Sequence, residues 1–377
     1  CVGLRGPGAT PAGTGLRVKG ADITAIQGVA LSNFARGLHL WGADNGGVAG
    51  NWFGRNIDGS AAANAVGVSV TGRSSNGAVA DVAGANFVGD TSDAEFGSCN
   101  ETCNVIVNST VAGIDLQGDP TPASGPGDVP AGGPCRESAL FTCGTFVRAN
   151  WIGVEDPAGS QAAGNATAVR IGDAEETRIG GDTPGNGNVI AGNAHGVDQG
   201  SGTRVAWLIG GVYGISPDGQ HTASNGPWNA RLGGSSGQGS VVDKVTFGPA
   251  QVGLLLDGPT AQVTGSSFLS RDEARFTTAA IRLGPAADRA YIGSDADSAA
   301  SPGCFPPANQ CNQITATGPD APGILVDGAD NVRIWRNAIG GGLVAPIPGP
   351  PIRFTGDVTG ADVGDNDDEP ARRNALG

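Results

Sequence analysis

Gly37–Gly42 reads GLHLWG and Gly67–Gly72 reads GVSVTG, two copies of one phrase: small residue, apolar, any, apolar, any, glycine. Alternate side chains of an extended strand point to opposite faces. Leu38 and Leu40 therefore turn one way, as do Val68 and Val70, while His39 and Ser69 turn the other. The phrase recurs on both sides of these copies. It stands at Gly15–Gly20 (GLRVKG), Gly113–Gly118 (GIDLQG), Thr167–Gly172 (TAVRIG), Asn229–Gly234 (NARLGG) and Gly253–Gly258 (GLLLDG). It returns at Ala279–Gly284 (AAIRLG), Gly323–Gly328 (GILVDG) and Pro351–Gly356 (PIRFTG). A strand this short cannot bury an apolar face alone, but stacked copies build a continuous interior. Parallel stacking also pairs the backbone of each copy with the copies above and below. The phrase predicts an all-β chain folded as a right-handed parallel β-helix, a three-sided solenoid.

Two further patterns sit between these strands. Asn51–Asn64 reads NWFGRNIDGSAAAN and Asn150–Asn165 reads NWIGVEDPAGSQAAGN, with a looser copy, VYGISPDGQHTASN, at Val212–Asn225. The third pattern is VGD…CNVIV from Val88, IGGD…GNVIAGN from Ile179 and IGSD…CNQIT from Ile292. Asn51, Asn104, Asn150, Asn188, Asn312 and Asn337 fall at expected strand corners, where asparagine side chains satisfy turn backbone. No stretch holds a 3.6-residue period, so no helix is predicted. One domain is expected over residues 1–356, with an acidic tail over 357–377.

Composition agrees. Glycine supplies 66 of 377 residues, which suits a chain that turns a corner every few residues. Hydrophobic residues make up 39%, enough for a core. A net charge of −14 argues against nucleic acid or an anionic membrane as partner. No apolar run approaches the ~18 residues of a transmembrane helix. Methionine is absent, so the chain is expected to be processed or trimmed at its start. Six of the seven cysteines form close pairs: Cys99 with Cys103, Cys135 with Cys143, Cys304 with Cys311. Three local disulfides, and hence an oxidising compartment, follow from that spacing. Cys1 is left over, with lipidation, a cross-link to another chain and trimming all open.

The phrases NWIG…D.AG….GN and IGG…GNVIAGN resemble the right-handed parallel β-helix repeats of large bacterial surface and secreted proteins in the pectin-lyase-like superfamily. The resemblance covers nearly the whole chain. It implies an extracellular or cell-surface bacterial location and an outer face of the kind that binds polysaccharide. Ala361–Pro370 (ADVGDNDDEP) also resembles a segment that closes such arrays before a further module. The family's polygalacturonase signatures are not all present, and its pectate lyase arginine motif is missing.

Several residue sets invite chemistry. The outward middle position of the phrase holds Arg17, Arg170, Arg231, Arg282 and Arg353 among ten copies. Stacked in one sheet, they would form a strip suited to carboxylate or sulfate groups of a glycan. The competing expectation is that each pairs with a nearby acid. Arg271, Asp272, Glu273 and Arg275 (SRDEARF) replace the Gly-rich turn of the second pattern and are the candidate catalytic cluster. His39, His195 and His221 show no consistent acidic partner along the chain. Asp362, Asp365 and Asp367 offer hard oxygen ligands for calcium, the one cofactor considered. The expected function is a structural or adhesive module, a stalk or filament unit that touches cell-surface glycan and stacks end to end through open sheet edges. The alternative is a carbohydrate-active enzyme, a polysaccharide lyase or glycoside hydrolase.

Overall fold

The computed structural model describes residues 2–7, 10–21, 25–43, 45–71, 86–89, 99, 102–117, 144–159, 163–172, 174, 177–183, 185–200, 205–234, 239–270, 272–293, 311–315, 317–340, 347–364 and 375–376. These residues form 34 strands and contain no helix. Every third strand joins the same sheet, giving three all-parallel sheets of 12, 11 and 11 strands. The first sheet begins with Val2–Arg5, Val29–Ser32 and Trp52–Phe53. The second begins with Thr14–Lys19, Arg36–Trp41 and Val66–Thr71, and the third with Ala25–Gln27, Gly47–Ala49 and Phe87–Val88. The chain is a three-sided right-handed parallel β-helix, as the repeated phrase predicts.

That phrase is the second sheet. Leu16, Leu38, Val68, Ile114 and Val169 align rung upon rung, as do Val18, Leu40, Val70, Leu116 and Ile171. The second pattern supplies Phe53, Ile152 and Tyr213 to the inner face of the first sheet, and the third pattern supplies Val88, Ile179 and Ile292 to that of the third. All six are buried in one continuous core. Tyr213, Phe247 and Phe268 stack within it at centroid spacings of 5.4 and 4.9 Å. Each large apolar side chain buried there contributes roughly 1.5–3 kcal/mol. One rung had no apolar signature: Val197–Gln199 places Gln199 at an inward position, where its side-chain oxygen accepts a hydrogen bond from Ser240 Oγ at 2.9 Å.

Corners are built from asparagine and glycine. Asn51, Asn104, Asn150 and Asn188 stack as a buried file, each of the first three donating from Nδ2 to the Oδ1 of the next, at 3.1, 2.8 and 3.0 Å. Asn312 and Asn337 extend the motif higher up, at 2.9 Å. A second file, Asn165, Asn193 and Asn225, lines another corner with 2.9 Å bonds. Asn165 begins an Asn-Ala-Thr sequon, yet its side chain is spent inside this file. The motif glycines Gly153 and Gly293 adopt φ of +95° and +121°, where an L side chain is strained. A Cβ on Gly153 would also overlap the Ala191 carbonyl oxygen and the Asn193 amide.

Cys99 and Cys103 are disulfide-bonded. Cys311 is disulfide-bonded as well, while Cys135, Cys143 and Cys304 lie outside the described residues. Within the stretch expected as an acidic tail, Asp362–Val363 pairs with Arg333–Trp335 and Ala375–Leu376 pairs with Asn337–Ile339. Both add a strand to the stack beyond Gly356.

Candidate functional site

The outward residues of the second sheet align as a single file of Arg17, His39, Ser69, Asp115, Arg170, Asp198, Arg231, Leu255, Arg282, Leu325 and Arg353. All five strip arginines are brought onto one face. Three are held by carboxylates. Arg170 donates to Asp115 through Nε and Nη2, both at 2.8 Å, the two-pronged geometry that guanidinium favours. This bond, opposed by desolvation, raises the Arg170 pKa above its ordinary value. Arg231 Nε donates to Asp198 at 2.7 Å, and Arg282 Nη2 to Asp327 at 2.6 Å. The hydrogen bonds from Arg282 and Thr355 hold Asp327 below the usual carboxylate range. Arg353 donates to the Asp320 carbonyl at 2.9 Å, and Arg17 lies 5.5 Å over the Trp41 ring. The middle of the strip, Asp115, Arg170, Asp198 and Arg231, alternates in charge. Asp198 lies on the Gln199 rung, which is why the apolar phrase did not reveal this acid.

His39 is buried at 7% exposure and stacks on Trp41 at 5.8 Å. Its Nε2 lies 3.1 Å from Thr71 Oγ1. Burial first, then the charges of Arg36 and Arg17, lower its pKa from 6.5 to about 4. Between those values the unfolded chain takes up a proton that folded His39 refuses. Stability is therefore full above about 6.5 and declines as pH falls toward 4, by roughly 1–2 kcal/mol after allowance for solvent screening. Melting temperature measured across this window should show the decline, and His39→Gln should flatten it.

Of the SRDEARF cluster, Arg271 lies outside the described residues. Asp272 and Glu273 adopt left-handed φ of +49° and +62°, and Glu273 and Arg275 are exposed. Asp272 Oδ2 accepts from Thr222 N at 2.9 Å and sits 3.4 Å from His221 Nδ1. His221 thus has an acidic neighbour, from a loop fifty-one residues away that chain spacing could not disclose. The contact ties two lateral loops together. Other lateral loops meet likewise, through Arg55 and Glu155 at 2.9 Å and through Asp218 N and the Pro157 carbonyl at 2.9 Å. Beside them, Trp151, Val154, Val189 and Ala191 pack with Cys103 into a separate apolar cluster. A glycoside hydrolase needs two carboxyl groups facing each other across the bond to be cut, whereas Asp272 is engaged with a backbone amide and an imidazole.

Asp362 is exposed on its strand, and Asp365 and Asp367 lie outside the described residues. Among the described residues no group of three or more His, Cys, Asp and Glu comes together to hold a metal. No helix there is long and apolar enough to cross a membrane.

The third sheet carries a face that the repeated phrase did not signal. Its outward file runs Phe87, Phe146, Arg178, Trp207, Val241, Gln262, Tyr291, Arg333 and Asp362. Phe87 and Phe146 stack at 5.0 Å. The Arg178 guanidinium carbon lies 5.7 Å from the Phe146 ring centre and 5.2 Å from that of Trp207. Arg333 lies 5.5 Å over Trp335, which meets Tyr291 edge to face at 5.6 Å. The available signal was the residue just before an inward valine, isoleucine or leucine of the third sheet. Phe87, Arg178 and Tyr291 precede the copies of the third pattern, and Phe146, Trp207 and Arg333 hold the same place on strands that carry no copy of it. Compared with protein-family models and with curated proteins, the chain matches none.

Proposed function

We propose that this chain is a secreted or cell-surface β-helical module with a mechanical and adhesive role, a stalk or filament unit. The observation that carries the reading is the unbroken three-sheet stack from Val2 to Leu376, filled by side chains along its length. Eleven rungs at about 4.8 Å give a body on the order of 50 Å long, stiff because every rung is bonded to its neighbours. The Cys99–Cys103 disulfide supports an oxidising location. End-to-end association belongs to the same reading. Val2 and Leu4 on the first rung, and Phe354 and Val363 near the last, are exposed at 62, 39, 43 and 42%, and a further coil stacked there would cover them. The pectin-lyase-like resemblance of the repeats supports a glycan as the surface that such a module touches.

Immunogold labelling of producing cells tests the location, with label expected on the exterior; label confined to the cytoplasm overturns it. Incubation with uronate-containing polysaccharides tests the non-enzymatic role. Steady release of unsaturated or newly reducing ends would replace it with catalysis.

A further inference from the structure

We infer that the outer face of the third sheet, centred on Arg178, is a binding site for the carboxylate groups of an acidic polysaccharide lying along the helix axis. The inference rests on the adhesive reading above and assigns its contact surface. The second-sheet arginines Arg170, Arg231 and Arg282 are occupied by Asp115, Asp198 and Asp327. Arg178 is not. Among the described residues its partners are two aromatic rings, Phe146 one rung below and Trp207 one rung above. Two rings attract the guanidinium and restrain it, and among the described residues no carboxylate occupies its N–H donors. That is a preformed fork for a carboxylate, on an exposed residue of a chain whose net charge is −14. Arg333 stands in the same file with its guanidinium over one ring, that of Trp335 on its own strand, with Tyr291 one rung below and Asp362 one rung above.

The geometry also points to the kind of chain that fits. Arg178 and Arg333 lie five rungs apart in one file, or roughly 24 Å at about 4.8 Å per rung. A linear polyanion laid along the axis meets both. An acidic peptide would instead bind by adding a strand to a sheet edge or filling a groove, and the side of a stacked coil presents its strands broadside, already paired on both edges. The aromatic flanks supply an apolar floor, where a charge-assisted bond is stronger than in open water.

The test is titration of the full chain with a uronic-acid decasaccharide, and with a neutral decasaccharide of the same linkage, by calorimetry at two salt concentrations. The uronate should bind and the neutral sugar should not, with affinity falling as salt rises. Arg178→Gln should weaken binding about tenfold to a hundredfold, the effect of losing one charged bidentate contact. Arg178→Lys should fall between, because the charge remains and the fork is lost. Arg231→Gln, on the other sheet, should leave affinity unchanged. Melting curves confirm that each variant stays folded. Equal binding of the neutral sugar, unchanged affinity in Arg178→Gln, an equal loss in Arg231→Gln, or tighter capture of a polyglutamate peptide would each overturn the inference. Absence of any uronate binding would also overturn it, while the surface location tested by labelling would stand or fall separately.

Discussion

Asn150→Leu lowers the stability of the coil stack by about 4 kcal/mol, read as a shift in the denaturation midpoint. The side chain is fully buried. Its Nδ2 donates to the Val88 carbonyl at 2.8 Å, to the Arg148 carbonyl at 2.8 Å and to Asn188 Oδ1 at 3.0 Å, and its Oδ1 accepts from Asn104 at 2.8 Å. Leucine of similar size makes none of these bonds. The groups it strands stay buried, and each unsatisfied one costs about 1–3 kcal/mol. Gln220→Leu, at an exposed position in a lateral loop where Gln220 Nε2 reaches only the Asp218 carbonyl at 3.4 Å, should cost well under 1 kcal/mol. A small loss at Asn150 would mean that the file is dispensable for folding, and its asparagines would again need a chemical explanation.

Gly153→Ala should be as severe. Alanine at φ of +95° is strained by about 1–3 kcal/mol. In addition the new methyl group meets the Ala191 carbonyl and the Asn193 side chain, so relief requires the second asparagine file to move. Together these put the loss at about 4 kcal/mol. Gly13→Ala separates the two effects. Its φ is +65°, but a Cβ there meets nothing within 4 Å, and the cost should stay near 1–2 kcal/mol. Equal losses at both glycines would show that backbone strain alone sets the requirement, and that the close approach of successive rungs does not.

The architecture was legible because its signal is local and repeated. Leu38 and Leu40 read the same way as Val68 and Val70, and one short phrase therefore disclosed a whole sheet. The Gln199 rung escaped because a single buried amide breaks the apolar alternation that made the other rungs visible. The Arg170–Asp115 pair was open to an alignment of the phrases, whose outward position holds both residues in successive copies. Asp198, the partner of Arg231, was hidden with the Gln199 rung. Partners one rung apart are 55 and 33 residues apart in the chain, a distance set by the lengths of intervening corners. The same holds for His221 and Asp272. The Phe146–Arg178–Trp207 arrangement shows in the sequence only when the two- to four-residue strands of the third sheet are aligned on Val147, Ile179 and Leu208. Strands that short carry too little periodicity to align themselves.

The parallel pairing of successive rungs sets how the body answers load. Its interstrand bonds run along the long axis, so a pull applied through the chain at one end loads the bonds of one coil at a time. Such a body peels in sequence at low force. Shear across the axis must instead break a whole coil's bonds and displace its interlocked side chains together. A module of this design is strong as a spacer under bending and compression and weak as a rope, which favours anchorage along its flank over suspension from a tip.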